Sequence, residues 1–81
     1  MSGARRIYAP RSVAVEAAGD GAPRALAGTA VEAIREEWVV EDRWWTADPL
    51  RRHYYELVLV DGRGATVFRD MASGRWFRQW A

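Results

Sequence analysis

The stretch from Tyr54 to Trp80 leaves this chain little choice of secondary structure. Tyr54-Tyr55-Glu56-Leu57-Val58-Leu59-Val60 is rich in aromatic and β-branched residues and runs into Asp61-Gly62, a favoured two-residue hairpin turn. Ala65 to Arg69 reads as the return strand, Met71-Ala72-Ser73-Gly74 as a second turn, and Arg75 to Trp80 as a third strand. Strands joined by turns this short run antiparallel. The spacing predicts a C-terminal three-stranded meander.

Turn length sets register, and register sorts the side chains into two faces. A two-residue loop at Asp61-Gly62 places Tyr55 opposite Phe68 and Tyr54 opposite Arg69. A four-residue loop at Met71–Gly74 places Phe68 opposite Phe77 and Arg69 opposite Trp76. One face then holds Tyr55, Leu57, Leu59, Phe68 and Phe77, a core face. The other holds Tyr54, Glu56, Val58, Val67, Arg69, Trp76, Arg78 and Trp80, with arginines interleaved among rings. That mixed face is either covered by another part of the chain or left open as a contact surface. Trp, Tyr and Arg are the residues over-represented at interface hot spots.

Upstream signals are weaker. Residues 1–11, with Gly3, Arg5, Arg6 and Pro10, read as a flexible arm, leaving 12–81 as a single small β domain whose best-defined part is 31–80. Ser12 to Ala18 alternates weakly and suits an edge strand. Gly19-Asp20-Gly21 signals a turn, and Pro23 to Ala27 a short return strand. Residues 30–40 fit two periods. Ala30, Ala33, Ile34, Glu37 and Trp38 make a helical stripe, whereas Ile34, Glu36, Trp38 and Val40 make one face of a strand. The β-rich run Trp38-Val39-Val40 favours a long, bent strand from about Val31 to Val40, and Trp44-Trp45 follow in a loop ending near Pro49. The expected fold is all-β and small: four to five antiparallel strands in a bent sheet or partly open barrel.

Composition excludes several classes. With 81 residues there is room for one domain only. The absence of cysteine and the single histidine exclude a disulfide scaffold and thiolate or imidazole metal sites. No apolar run approaches a membrane span, and no signal-type stretch follows the N-terminus, so the expectation is a soluble cytoplasmic domain without a membrane role. All twelve basic residues are arginine. A GC-rich coding bias accounts for this more simply than selection for the guanidinium fork. Net charge is +1, but unevenly placed. Residues 29–42 carry five acids against Arg35, a net −4, while residues 43–81 carry seven arginines against four acids, a net +3.

Catalytic chemistry finds little support. His53 stands beside Arg51 and Arg52 with no serine or cysteine nucleophile in a recognisable setting. Glu41, Asp42 and Asp48 match no calcium-loop spacing and read as a solvated acidic turn. Asp61-Gly62-Arg63-Gly64 joins two strands instead of opening a helix, so it is a hairpin and not a phosphate loop. No cofactor and no metal are expected. The candidates for contact with a partner are Trp44, Trp45, Arg51, Arg52, Tyr54, Arg69, Trp76 and Arg78. Rings and arginines of this kind on a small sheet also suit stacking of single-stranded nucleic acid, although the acidic segment opposes it. A third reading is a self-associating structural domain joined at an open sheet edge.

A longer pattern runs through residues 34–80. Ile34-Arg35-Glu36-Glu37-Trp38-Val39-Val40-Glu41-Asp42-Arg43-Trp44-Trp45 precedes Tyr54-Tyr55-Glu56-Leu57-Val58-Leu59, Asp61-Gly62-Arg63, Val67-Phe68-Arg69-Asp70 and Gly74-Arg75-Trp76-Phe77. It resembles the C-terminal segment of actinobacterial ImuB-type proteins, catalytically defective relatives of Y-family DNA polymerases that act as hubs of a damage-induced mutasome. It is similar also to short stand-alone proteins of an uncharacterised family. Its most specific part is one Trp, an acidic spacer and a Trp pair. The resemblance implies a non-enzymatic accessory role in error-prone translesion synthesis or the DNA damage response. It implies protein partners such as the ImuA-like RecA homologue, the error-prone C-family polymerase and the sliding clamp. The chain has no polymerase domain and no Gln-containing clamp-binding peptide, so clamp contact is not carried over, and no catalytic residue is implied.

Overall fold

The computed structural model describes residues 10–42, 45–47 and 49–79. The arm expected over residues 1–11 lies outside the described residues as far as Ala9. Seven antiparallel strands follow in chain order: β1 (Arg11–Ser12), β2 (Val15–Ala17), β3 (Pro23–Leu26), β4 (Thr29–Asp42), β5 (Leu50–Leu59), β6 (Gly64–Asp70) and β7 (Trp76–Gln79). They form one sheet in the order β1-β7-β6-β5-β4-β3-β2, curled into a half-barrel, with no helix among the described residues. The all-β expectation holds, and seven strands replace the four to five expected.

The extra strands come from the N-terminal segment, which splits in two instead of forming one edge strand over Ser12–Ala18. Arg11 pairs with Arg78 on β7, whereas Val15 pairs with Leu26 on β3, at the opposite end of the sheet order. The crossing takes one peptide. The Val13 N–H donates to the Trp76 carbonyl at 3.1 Å, and the next residue, Ala14, accepts from the Ala27 N–H at 2.8 Å. Consecutive Cα atoms are about 3.8 Å apart, so β7 and β3 must each come within one hydrogen bond of the same short step, and this curls the sheet.

The concave side holds the core. Leu26, Tyr55, Leu57, Leu59, Ala65 and Val67 are buried there, with Val13, Val15, Val31 and Trp76 packed against them. Leu57, Leu59 and Val67 are at most 1% exposed, so truncating any of them leaves a cavity. The β2–β3 hairpin supplies Val15 and Leu26 to this core. A two-residue turn with positive φ at both Ala27 and Gly28 folds β3 back on β4, pairing Leu26 with Thr29.

The first hairpin of the meander is one residue longer than Asp61-Gly62 suggests. Tyr55 faces Val67 and Tyr54 faces Phe68, not Phe68 and Arg69. The loop is Val60-Asp61-Gly62. Gly62 donates back to the Leu59 carbonyl at 2.9 Å and has φ +90°, and Leu59 donates to the Arg63 carbonyl at 2.8 Å. This is a turn followed by a left-handed glycine, the common three-residue hairpin, where glycine adopts the positive φ without the backbone strain a side chain would bring. Asp61 closes it by accepting from the Arg63 N–H at 3.0 Å and from Arg63 Nε at 2.8 Å. The Arg63 backbone N–H does most to hold the Asp61 carboxyl below its usual 3.8; desolvation opposes it, and the Arg63 guanidinium adds to the lowering. The second hairpin has the expected length, and Phe68 faces Phe77 while Arg69 faces Trp76.

That single residue turns β6 and β7 over relative to β5. Val67, Arg69, Trp76 and Arg78 share the concave face with Tyr55, and Phe68 and Phe77 share the convex face with Tyr54. The expected grouping of Tyr54 with Arg69, Trp76 and Arg78 is therefore corrected.

β4 is bent by two bulges, where Glu32 and Arg35 have no registered partner on β5. From Glu36 to Asp42 it pairs residue for residue with Glu56 to Leu50. It lies beside β5 in the sheet and does not cover the mixed face. Among the described residues, no helix is long and apolar enough to cross a membrane.

Candidate functional site

Beyond Ala30, β4 has a neighbour on one side only among the described residues. β3 pairs with it solely through Ala25–Ala30 and Leu26–Thr29, so among the described residues no strand lies along the outer edge from Glu32 to Asp42. Residues 32–39 are all exposed, and they include Ile34, Trp38 and Val39, the last 53% exposed. Three large apolar side chains on an unpaired edge are unusual, because such edges invite pairing with other chains. The acidic side chains of the segment sit among them.

Each face of this strand continues into a group of rings. On the convex face, Trp38 stacks on Tyr54 with centroids 5.3 Å apart, Tyr54 meets Phe68 at 4.9 Å, and Phe68 meets Phe77 at 5.2 Å. One ring from each of β4, β5, β6 and β7 thus forms a row across the sheet. Arg52 lies over Phe68 at 4.4 Å and donates to the Tyr54 hydroxyl at 3.2 Å; that hydroxyl donates to Gln79 Oε1 at 3.3 Å. Arg75 lies 5.5 Å above Phe77. Tyr54 and Phe68 are buried within this row, while Trp38 keeps an exposed face.

On the concave face, Glu37 Oε1 lies 3.1 Å from His53 Nε2, and His53 stacks on Tyr55 at 4.4 Å. Tyr55 in turn meets Trp76 at 5.7 Å. Burial pushes the Tyr55 hydroxyl above its usual 10.0, and the Glu37 carboxylate adds to this; Arg69 pulls the other way and Asp20 adds slightly. A carboxylate–imidazole pair is two thirds of a hydrolytic triad, but among the described residues no hydroxyl bonds to His53. No group of three or more His, Cys, Asp or Glu that could hold a metal occurs among the described residues.

No protein-family model, curated protein or solved structure matches this chain.

The sequence candidates fall into three places. Arg52 and Tyr54 are brought together in the convex ring row. Arg69 and Trp76 lie on the concave face, with Arg69 Nε at 3.4 Å from the Gly74 carbonyl, and Arg78 shares that face by register. Arg51 is exposed and pairs with Glu41 at 2.8 Å near the end of the β4–β5 ladder, and Trp45, 65% exposed, stands in the connection just beyond. Trp44 lies outside the described residues, as does Trp80. Ile34, Trp38 and Val39 are not among the contact candidates that the sequence offers. Their signal was an apolar trio inside an acidic run, which reads equally well as strand core. A half-open groove of about 270 Å³ is lined by Leu57, Val58 and Ala65 together with Arg35, Glu56 and Thr66, and falls below the usual size of small-molecule pockets.

Proposed function

We propose that this chain is a non-enzymatic protein-interaction module whose contact runs along β4. The observation that carries the reading is the unpaired outer edge of that strand, with Ile34, Trp38 and Val39 exposed on it. An edge strand offers a row of backbone donors and acceptors, and exposed apolar side chains on both of its faces add area to be buried. Trp45 and Arg51 extend the same surface at its far end. The role in error-prone translesion synthesis rests on the resemblance carried by residues 34–80.

The test is a binding measurement with the purified ImuA-like RecA homologue and the error-prone C-family polymerase. The reading expects one of them to bind the full chain, with loss in an Ile34→Glu, Val39→Glu variant and weakening in Trp44→Ala, Trp45→Ala. Binding by neither protein, or binding indifferent to all four substitutions, would remove it.

A second reading is favoured by the convex row, where Trp38, Tyr54, Phe68 and Phe77 lie beside Arg52 and Arg75. Rings with flanking arginines can stack single-stranded nucleic acid. That reading expects tryptophan fluorescence to be quenched by oligonucleotides, steeply less so as salt rises. The buried positions of Tyr54 and Phe68 leave only the ends of the row for bases to stack on.

A further inference from the structure

The unpaired edge has a chemical pattern that selects its occupant. Over the regular run Glu36–Asp42, side chains alternate between the two faces of the sheet. The convex side presents Glu36, Trp38, Val40 and Asp42. The concave side presents Glu37, Val39 and Glu41. Both faces read acidic at the ends and apolar at the centre. The charge is partly matched inside the chain, by His53 against Glu37 and Arg51 against Glu41, whereas Glu36 has no ion pair among the described residues.

Resting on the protein-interaction reading above, we infer that the outer edge of β4 over Glu36–Asp42 accepts a basic, extended segment of a partner protein as an added strand. The complement of this edge is a strand with apolar residues at its centre and arginine or lysine at both ends. Opposite charges facing across a strand pair stabilise it, and like charges destabilise it.

A second copy of this chain fits worse. The antiparallel self-pairing that brings Val39 opposite its own copy, and Trp38 opposite Val40, puts Glu36 opposite Asp42 and Glu37 opposite Glu41 at both ends. A phosphate backbone meets the same carboxylates. The two bulges at Glu32 and Arg35 interrupt the edge before Glu36, so the added strand is confined to the regular run.

The probe is the capped peptide Arg-Arg-Val-Ile-Val-Arg-Arg, and its control is the same peptide with glutamate for arginine. Each is titrated into the ¹⁵N-labelled full chain at low and high salt. The inference expects shifts and new exchange protection at amides within 36–42, with the arginine peptide binding at least about tenfold more tightly. It expects Glu36→Lys with Glu37→Lys, both at exposed positions, to abolish the preference, since the two lysines then balance Glu41 and Asp42. Equal binding of the two peptides, no binding of either, shifts centred on Phe68 and Phe77, or a peptide-free dimer protecting 36–42 would each overturn it. The two proposals fail separately. If a repair protein binds but tolerates Glu36→Lys with Glu37→Lys, the interaction reading survives and strand addition does not. If the arginine peptide binds as expected while both repair proteins fail, strand addition survives and the translesion assignment does not.

Discussion

Trp38 lies flat against Tyr54, with ring planes 6° apart and centroids 5.3 Å apart, so β4 is fastened to β5 through a cross-strand stack. The pair sits in register on the convex face, and Tyr54 passes the contact on to Phe68. Trp38 therefore anchors β4 from one side of its ring and leaves the other exposed.

Removing that ring should loosen the edge without unfolding the domain. Trp38→Ala is expected to cost about 1 kcal/mol in denaturant unfolding, the size of a cross-strand aromatic pair. Trp38→Phe should recover most of it. An unchanged midpoint in Trp38→Ala would mean that the stack does not hold β4.

The first hairpin depends on the left-handed glycine. Gly62→Val should destabilise by about 2 kcal/mol, and Gly62→Asn by clearly less, because asparagine tolerates positive φ. Equal costs for the two would contradict the three-residue loop.

Protonating Asp61 should weaken the same hairpin. Its folded carboxyl titrates below its usual 3.8, so the stability it contributes is present above that value and is lost as pH falls through the lower folded one. Asp61→Asn should flatten this acid limb of the unfolding profile, and NMR titration of the Asp61 carboxyl should give a midpoint below 3.8. A midpoint at or above that value would sink the argument.

Alkaline pH acts on the concave face. Tyr55 is held above 10.0 when folded, so stability is full below the unfolded value and falls as pH rises toward the folded one, where the unfolded chain ionises first. Tyrosinate absorbance should show one hydroxyl ionising late. Glu37→Gln should move that midpoint downward, since the carboxylate contributes to the shift; an upward move or none would refute the placement of Glu37 beside Tyr55.

How far the fold could be read from the chain depended on how local its determinants were. The Met71–Gly74 turn is closed by nearby groups, with Asp70 accepting from the Ala72 and Ser73 N–H groups, and its register with Phe68 opposite Phe77 was legible. Asp61-Gly62 was misread by one residue, because the pair also suits a longer loop with glycine at its end. The helical stripe in residues 30–40 has a physical origin. Each bulge inserts one residue, so concave-facing positions fall at Val31, Ile34, Glu37 and Val39, and a spacing of three imitates a helix. The division of the N-terminal segment at Val13–Ala14 was illegible, since each residue is held by a different distant edge.

The candidate site followed the same rule. Arg52 and Tyr54 share a face because the strand starts at Leu50, four residues before the Tyr54 start that the sequence suggests. Arg69, Trp76 and Arg78 depended on the misread loop and moved to the other face with it. The edge itself had no local signal, because an unpaired strand is defined by the neighbour it lacks.

Amide hydrogen exchange along Glu36–Asp42 in the free, dilute chain tests the central claim most directly. The account predicts alternation: amides directed at β5 exchange slowly, and those between them, directed outward, exchange close to the unprotected rate. Uniform protection of the run, unchanged on further dilution, would contradict it, because the outer edge of β4 would then already be paired within the chain.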